Sequence, residues 1–204
     1  MKFDEYKNVE HFSYEQYCKY LQDKYGIGRA NYFFASWSKN PKVSRTSEGL
    51  FAHHKYENEA IMLSEASYAK DNPIEWQNAE NIVYCDFLEH LLLHIFICEE
   101  SSIKKRTDNV LVGFGGVVNY IVPELNDIYS GWEPKQQWKK NCAEKVIDDI
   151  DVYLELVYRF KLFANRFYSP KVYNDKMLCA SFGEQYGVWS SSKNKKIYSI
   201  IDEL

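Results

Sequence analysis

The sequence predicts a mainly helical α+β protein in which a short strand pair lies within a larger helical framework. Apolar residues recur at helical spacing in three stretches, residues 10–25, 85–98 and 138–166. Residues 48–54 instead alternate in polarity beside a turn signal, which is typical of a strand. The 204 residues suit one domain of ordinary size with a substantial core, and we treat 1–204 as a single domain.

The N-terminal third of the chain divides at its glycines and at a polar, basic segment. The first predicted helix, residues 10–25, ends at the glycines of Gly26-Ile27-Gly28. The aromatic-rich residues 30–37 favour a strand or a short helix, and residues 36–47 predict a loop. After the strand at 48–54, residues 55–80 are polar and favour helix, with a break at Asn72-Pro73.

The rest of the chain is predicted to be largely helical. Residues 81–84 are extended or form a tight loop, and a helix then begins at Cys85 or Asp86 and runs to Cys98. The apolar, glycine-rich residues 109–122 fit either a strand pair or a buried helical segment. The longest helical pattern covers residues 138–166, and residues 190–196 predict a solvated loop before a short last helix.

The overall charge argues mildly against a passive nucleic-acid coat protein, which would be strongly basic. The formal net charge is -4 and the pI is near 5.8. An acidic protein can still hold a phosphate through a local basic patch and a bound cation.

The cysteines and the apolar stretches indicate a cytoplasmic protein without a membrane partner. The five cysteines are far apart and form no C-x-x-C pair, which argues against a zinc ribbon. No signal peptide is visible at the N-terminus, so we expect free thiols in a reducing cytosol. The longest apolar stretch, Leu91 to Cys98, is too short to span a bilayer.

Four of the five histidines form two tight pairs, which indicates a metal or catalytic site. His90 and His94 are four residues apart, so they share one helical face and can bind one cation. A zinc protease would need a glutamate directly after the first of these histidines, and Leu91 stands there. By themselves, two such histidines are more simply helix-face residues bonded to core groups.

The other pair, His53 and His54, lies on the predicted strand. Neighbouring strand residues point to opposite sides, but a local twist would let one bind metal while the other acts as a base. Asn81 lies just before the helix, nine residues before His90. Its side-chain carbonyl could accept a proton from a ring N–H and so fix the tautomer of the base. An asparagine alone at this place is more often a turn or helix-start residue.

Together, the histidine pairs and Asn81, with Cys85 in the segment NIVYCDFLEHLLLH, resemble the HNH endonucleases and their ββα-metal fold. The three histidine ligands are most similar to the colicin-type branch of that family. The resemblance covers residues 48–97, so that 1–47 and 98–204 would be helical embellishments. The stretch from His54 to Asn81 is longer than in compact members, and the paired C-x-x-C zinc knuckles of many members are absent.

The resemblance implies that His53, His90 and His94 bind one divalent metal ion, namely Zn²⁺, Ni²⁺, Mn²⁺ or Mg²⁺. His54 would be the general base, held in place by Asn81. The roles of the two neighbouring histidines could also be exchanged. The implied activity is that of an endonuclease, a hydrolase that cleaves phosphodiester bonds of nucleic acid, with double-stranded DNA as the expected substrate.

Two groups of basic residues are candidates for nucleic-acid contact, although charge runs are usually solvated surface. The groups are Lys39, Lys42 and Arg45 in an acid-free loop, and Lys104, Lys105 and Arg106. Two alternatives remain open: an HNH-derived inhibitor or adaptor that binds nucleic acid or protein without cutting, and a structural metal site. The C-terminal helical region could bind a protein partner. The abundance of Lys, Asn, Tyr and Ile suggests a bacterial or phage genome rich in AT.

Overall fold

A computed structural model, which describes residues 1–103, 112–185 and 191–204, shows a mainly helical chain with one small antiparallel sheet. The predicted α+β class, mainly helical, is therefore confirmed. The described strands are β1 (Phe51–His54) and β2 (Ile82–Cys85). The described helices are α1 (Phe3–Val9), α2 (Tyr14–Tyr25), α3 (Ala66–Ala69), α4 (Phe87–Ile103), α5 (Val122–Tyr129), α6 (Gln137–Glu144), α7 (Ile150–Phe167), α8 (Phe182–Gln185) and α9 (Ser191–Glu203).

The sheet pairs the predicted strand with the residues that directly precede the central helix. Phe51 lies opposite Cys85, and His54 lies opposite Ile82. All four residues of β2 are buried, as are both histidines of β1. The strands are joined by short 3₁₀ helices and by α3, so the polar residues 55–80 form no long helix.

α4 is the central element of the fold. A helix that is apolar on all sides must be surrounded by protein, and α4 packs against α2, α7, both strands and the π-helical turn Gly116–Ile121. The fully buried apolar residues on it are Leu88, Leu91, Leu92, Leu93, Ile95 and Ile97.

The N-terminus of α4 is closed by two carboxylates that cap each other's backbone. Asp86 Oδ1 accepts a hydrogen bond of 2.8 Å from the backbone N–H of Glu89, and Glu89 Oε2 accepts one of 2.7 Å from that of Asp86. This is the geometry of a capping box. The other oxygen of Glu89 accepts hydrogen bonds from Lys24 and Tyr25 at the end of α2. Both carboxylates are buried, so the start of α4 is tied to β2 and to α2.

Two predicted helices are each divided in the structure. The helix predicted over residues 10–25 begins at Tyr14, because Ser13 caps it, and the separate helix α1 precedes it. The helix predicted over residues 138–166 is broken between Glu144 and Ile150. Asp148 and Asp149 fall in this break, where aspartate is favoured over a helix interior.

Two further stretches prove to be helical. Of the described part of 109–122, residues 116–121 form the π-helical turn that leads into α5, so the strand-pair alternative is wrong. The loop predicted over 190–196 is wrong from residue 191 onward, because α9 begins there. Lysine is a good helix former, and the buried Ile197 and Ile201 anchor α9 at a spacing of four residues.

The five cysteines are free thiols, as expected. Of the helices in the described ranges, none combines the length and the apolar character that crossing a bilayer requires.

The capping box makes a prediction about stability. Replacing Asp86 by Ala removes a buried cap acceptor, and we expect the free energy of unfolding to fall by about 1–3 kcal/mol. Ser13→Ala removes the matched cap of α2, which is exposed, and should cost about 1 kcal/mol. Urea denaturation followed by circular dichroism measures both. Equal losses in the two variants would show that the α4 cap has no special weight.

Candidate metal centre

Three of the predicted ligands lie close together where β1 meets α4. His53 stands on β1, and His90 and His94 lie one turn apart on α4. Their ring centres are 5.2 Å apart for His53 and His90, 5.3 Å for His53 and His94, and 4.9 Å for His90 and His94. Three imidazoles that bind one tetrahedral ion through nitrogens at about 2.1 Å have centres about 5.3 Å apart. The structure thus brings these histidines together at the spacing that one ion requires.

A carboxylate joins the three imidazoles. The 3₁₀ helix Lys55–Asn58 follows β1 directly and turns Glu57 back toward the strand. One oxygen of Glu57 lies 3.5 Å from His53 Nδ1 and 3.4 Å from His94 Nε2. His53, Glu57, His90 and His94 each offer a ligand atom, and these atoms all lie within 4.8 Å of one another. This cluster could hold a metal ion, and its nitrogen and oxygen donors fit Zn²⁺, Ni²⁺ or Mn²⁺.

Tyr14 on α2 makes a hydrogen bond with the ring of His53. Its hydroxyl lies 2.8 Å from His53 Nε2 and 3.3 Å from the carbonyl oxygen of His54. If the hydroxyl donates its hydrogen bond to that carbonyl, it must accept a hydrogen bond from the N–H of His53 Nε2. The lone pair of His53 Nδ1 then faces the cluster, where the nitrogen has no hydrogen-bond partner among the described residues. A hydrogen bond behind the ring in this way is the usual support of a metal-binding histidine.

Burial keeps the histidines of the cluster neutral. Desolvation, with smaller contributions from His94 and His54, lowers the pKa of His53 to about 3. It also lowers the pKa of His90 and His94. Burial acts in the opposite sense on Glu57, but the neighbouring imidazoles hold its pKa below the usual range. The lowered pKa values of the three histidines favour neutral imidazoles, the form of histidine that binds a cation.

His54 lies on the opposite face of β1 from His53 and is fully buried. Its Nε2 is 2.9 Å from Oε1 of Gln77, and the amide nitrogen of Gln77 donates to the carbonyl of Leu63 at 3.4 Å. This orientation makes Gln77 Oε1 an acceptor, so the proton of a neutral His54 sits on Nε2. The unprotonated Nδ1 then faces Glu57, 3.6 Å from its second oxygen. Glu57 thus stands between His54 and the three imidazoles of the cluster.

The expected contact between Asn81 and His54 is not formed. The side chain of Asn81 donates to the backbone carbonyl of Glu75 at 2.8 Å and so closes the turn before β2. Gln77, four residues earlier, makes the contact that we expected of Asn81. The nine-residue spacing to His90 correctly marks the turn, but it does not indicate which amide in that turn reaches the ring.

An open cavity of about 480 Å³ lies against the cluster. Glu57, His90 and His94 line it, whereas His53 and His54 do not. A ligand in the cavity can therefore reach the candidate metal position from one side, while His54 is reached through Glu57. The cavity size lies within the range of small-molecule sites.

The ring of His94 rests on the backbone of the π-helical turn at Gly116. A Cβ atom built on Gly116 would lie 2.3 Å from His94 Nδ1, far closer than van der Waals contact. Only glycine permits this approach. The turn therefore forms one wall of the cluster and limits the orientation of His94.

The structure describes three of the six basic residues that were predicted to contact nucleic acid. Lys39 is exposed and pairs with Glu65 at 3.0 Å, and Lys42 is exposed. Arg45 is mostly buried: it pairs with Glu48, donates to the carbonyl of Tyr25 and stacks on a tyrosine ring. Arg45 therefore supports the loop itself. The predicted contacts Lys104, Lys105 and Arg106 lie outside the described residues.

Glu57 and Gln77 were not identified from the sequence. The one signal for Glu57 is its position three and four residues after the histidine pair, which brings it back to both rings once the chain makes a helical turn. Gln77 offers no comparable signal, because its contact depends on how the whole segment between the strands folds.

Comparisons of the chain with protein-family models, with curated proteins and with solved structures find no match. The site therefore rests on its geometry.

We predict that the cluster binds one divalent ion per chain. We expect His90→Ala to weaken binding of Zn²⁺ or Ni²⁺ by at least about 100-fold, because losing a ligand costs more than losing its support. Isothermal titration calorimetry with metal-free protein measures this change. The control is His11→Ala, which removes the exposed histidine outside the cluster. Equal affinities for the two variants would exclude His90 as a ligand.

The Gly116 contact makes a second prediction about the metal. Gly116→Ala must displace the ring of His94, so we expect metal binding to weaken by about 10- to 100-fold, as when support for a ligand is lost. Gly115→Ala is the matched control, because the Cβ of that variant would meet nothing closer than 3.5 Å. Calorimetry on both variants, with circular dichroism to confirm folding, tests the contact. Unchanged metal affinity in Gly116→Ala would contradict it.

Proposed function

We propose that this protein is a metal-dependent hydrolase that cleaves phosphodiester bonds of nucleic acid, an endonuclease of the HNH kind. The observation that best supports the proposal is the convergence of three imidazoles and a carboxylate at one cavity, with a further histidine directly behind the carboxylate. The order of the elements, an antiparallel strand pair followed by a helix that bears two of the histidines, agrees with the ββα arrangement expected from the sequence.

His53, His90 and His94 would hold the divalent ion, with Glu57 as a fourth group at its side. A bound ion would stabilise negative charge on the scissile phosphate and on the departing oxygen. The chain itself supplies proton acceptors. Glu57 lines the cavity, and its second oxygen lies 3.6 Å from His54 Nδ1, the nitrogen that Gln77 leaves unprotonated. A proton taken from the attacking water can therefore pass by way of Glu57 to His54.

In this arrangement His54 remains the general base, but it acts from behind Glu57. Gln77 orients its ring by the hydrogen bond to Nε2, the role expected of Asn81. Tyr14 and Gly116 position His53 and His94, respectively. The alternative in which His54 binds metal and His53 is the base is less favourable, because His53 is the member of the pair that faces the α4 histidines.

One observation favours a second candidate, a structural metal site. Three histidines and Glu57 together are enough to complete a tetrahedral shell, and a closed shell of four protein ligands is typical of structural zinc sites. Such a site contributes to folding directly, so its removal unfolds the protein. The large buried cluster around α4 instead suggests a core that is stable without the ion.

The proposal is tested by cleavage of plasmid and single-stranded DNA in the presence of Mg²⁺, Mn²⁺, Ni²⁺ or Zn²⁺ in turn. We expect His54→Ala and Glu57→Gln each to slow cleavage by about 100-fold or more, because each removes a proton acceptor. His54→Ala should retain the metal, and His11→Ala should retain full activity.

Removal of the metal distinguishes the alternatives. EDTA should abolish cleavage while circular dichroism and the urea midpoint change only modestly. Unfolding in EDTA would favour the structural site. Folded, metal-loaded protein that cleaves no substrate with any of the four ions would contradict the proposal and favour a non-cleaving binding protein.

A further inference from the structure

The outer part of the cavity is lined by large apolar side chains that remain exposed. Ile61 is 43% exposed, Met62 is 37% exposed and Tyr120 is 57% exposed. Exposed apolar groups gathered around a cavity mark a ligand site rather than ordinary surface. Met62 also has a φ of 55°, which is costly for a residue other than glycine and is found mainly at functional positions.

The charges of the described residues around the cavity are unsuited to the backbone of a duplex. Of the described lining residues none is lysine or arginine, and the two acidic ones are Glu57 and Glu65. Lys39, which is beside the cavity, is paired with Glu65. Binding of double-stranded DNA depends mainly on cations that neutralise phosphates along both strands. In the described part of the cavity, a metal ion at the cluster would be the one cation available to neutralise a phosphate.

The polar groups of the outer cavity suit the edge of a nucleobase. Tyr120 lies on the π-helical turn, beside the exposed amide of Asn119, which offers both donors and an acceptor. Proteins that act on unpaired nucleotides hold the base by stacking on aromatic or apolar side chains and by hydrogen bonds to its edge. In a duplex both the faces and the pairing edge of the base are covered, so neither kind of contact is available.

We propose that this cavity binds an unpaired nucleotide, with its base against Tyr120 and its phosphate at the metal cluster. The substrate class is therefore single-stranded nucleic acid, or an unpaired segment, in place of the duplex expected from the sequence. The proposal rests on the proposed function, because it places the scissile phosphate at the inner end of the cavity. Binding of the base, however, can be measured without cleavage.

The test is fluorescence anisotropy with metal-loaded His54→Ala protein and labelled strands of about twelve nucleotides, a length within the usual site size. We expect the single strand to bind at least about tenfold more tightly than the duplex of the same sequence. Adding Tyr120→Ala should weaken strand binding by about 5- to 100-fold, the effect of losing one base stack, whereas Tyr120→Phe should change it less than about twofold. The control is Tyr158→Ala, another exposed tyrosine, which lines a separate depression.

Equal affinity for strand and duplex, or unchanged binding in Tyr120→Ala, would overturn the proposal. Tighter binding of either the DNA or the RNA strand supports it and identifies the sugar. Hydrolysis of bis(para-nitrophenyl) phosphate, which has no nucleobase, tests the proposed function separately. If the wild-type protein hydrolyses this diester but Tyr120→Ala leaves strand binding unchanged, the nucleotide site is wrong and the hydrolase stands. If the diester is not hydrolysed but strand binding depends on Tyr120, the nucleotide site stands and the hydrolase is wrong.

Discussion

Only Asp86 separates β2 from α4, and its side chain and that of Glu89 complete the first turn of the helix. Side chains alternate every two residues along a strand and repeat about every 3.6 residues along a helix. Because the connection is a single residue, the rotation of α4 about its axis relative to β2 has little freedom. His90 and His94 must therefore emerge on a fixed side of α4. Because the β1–β2 register is also fixed, that side is the one occupied by His53. The metal cluster depends on this junction more than on any single ligand.

The sequence predicted the structure well where a regular spacing of apolar residues determines whether a segment forms a helix or a strand. The helical repeat located α4, and the alternation located β1. The resemblance to the HNH endonucleases then implied the grouping of His53, His90 and His94, which the structure brings together. Glu57 and Gln77 depend instead on how the segment between the strands folds, and that segment is a series of short turns without a period. For 109–122, the apolar pattern fits a strand pair as well as a helix, and packing against α4 decides for the helix.

The cluster contains several buried polar atoms that the described protein groups leave without a hydrogen bond. His53 Nδ1, His54 Nδ1 and His94 Nδ1 are buried and have no hydrogen-bond partner among the described residues. Leaving such an atom unsatisfied costs about 1–3 kcal/mol, and Glu57 adds a largely buried negative charge. A hydrophobic core around α4 large enough to tolerate this cost allows the site to be organised in advance of binding. Catalytic sites commonly concentrate such local disadvantages, because the same groups are then ready to act.

The contact between Gly116 and His94 also connects the cavity to the cluster through one structural element. The π-helical turn that supports the ring of His94 also carries Tyr120 in the cavity wall. A molecule that shifted this turn on binding would also shift the ring of His94, and with it the affinity of the proposed centre for an ion. Linkage requires the reverse effect to be of equal size. Metal binding at the proposed centre would therefore change how tightly the cavity holds the proposed nucleotide.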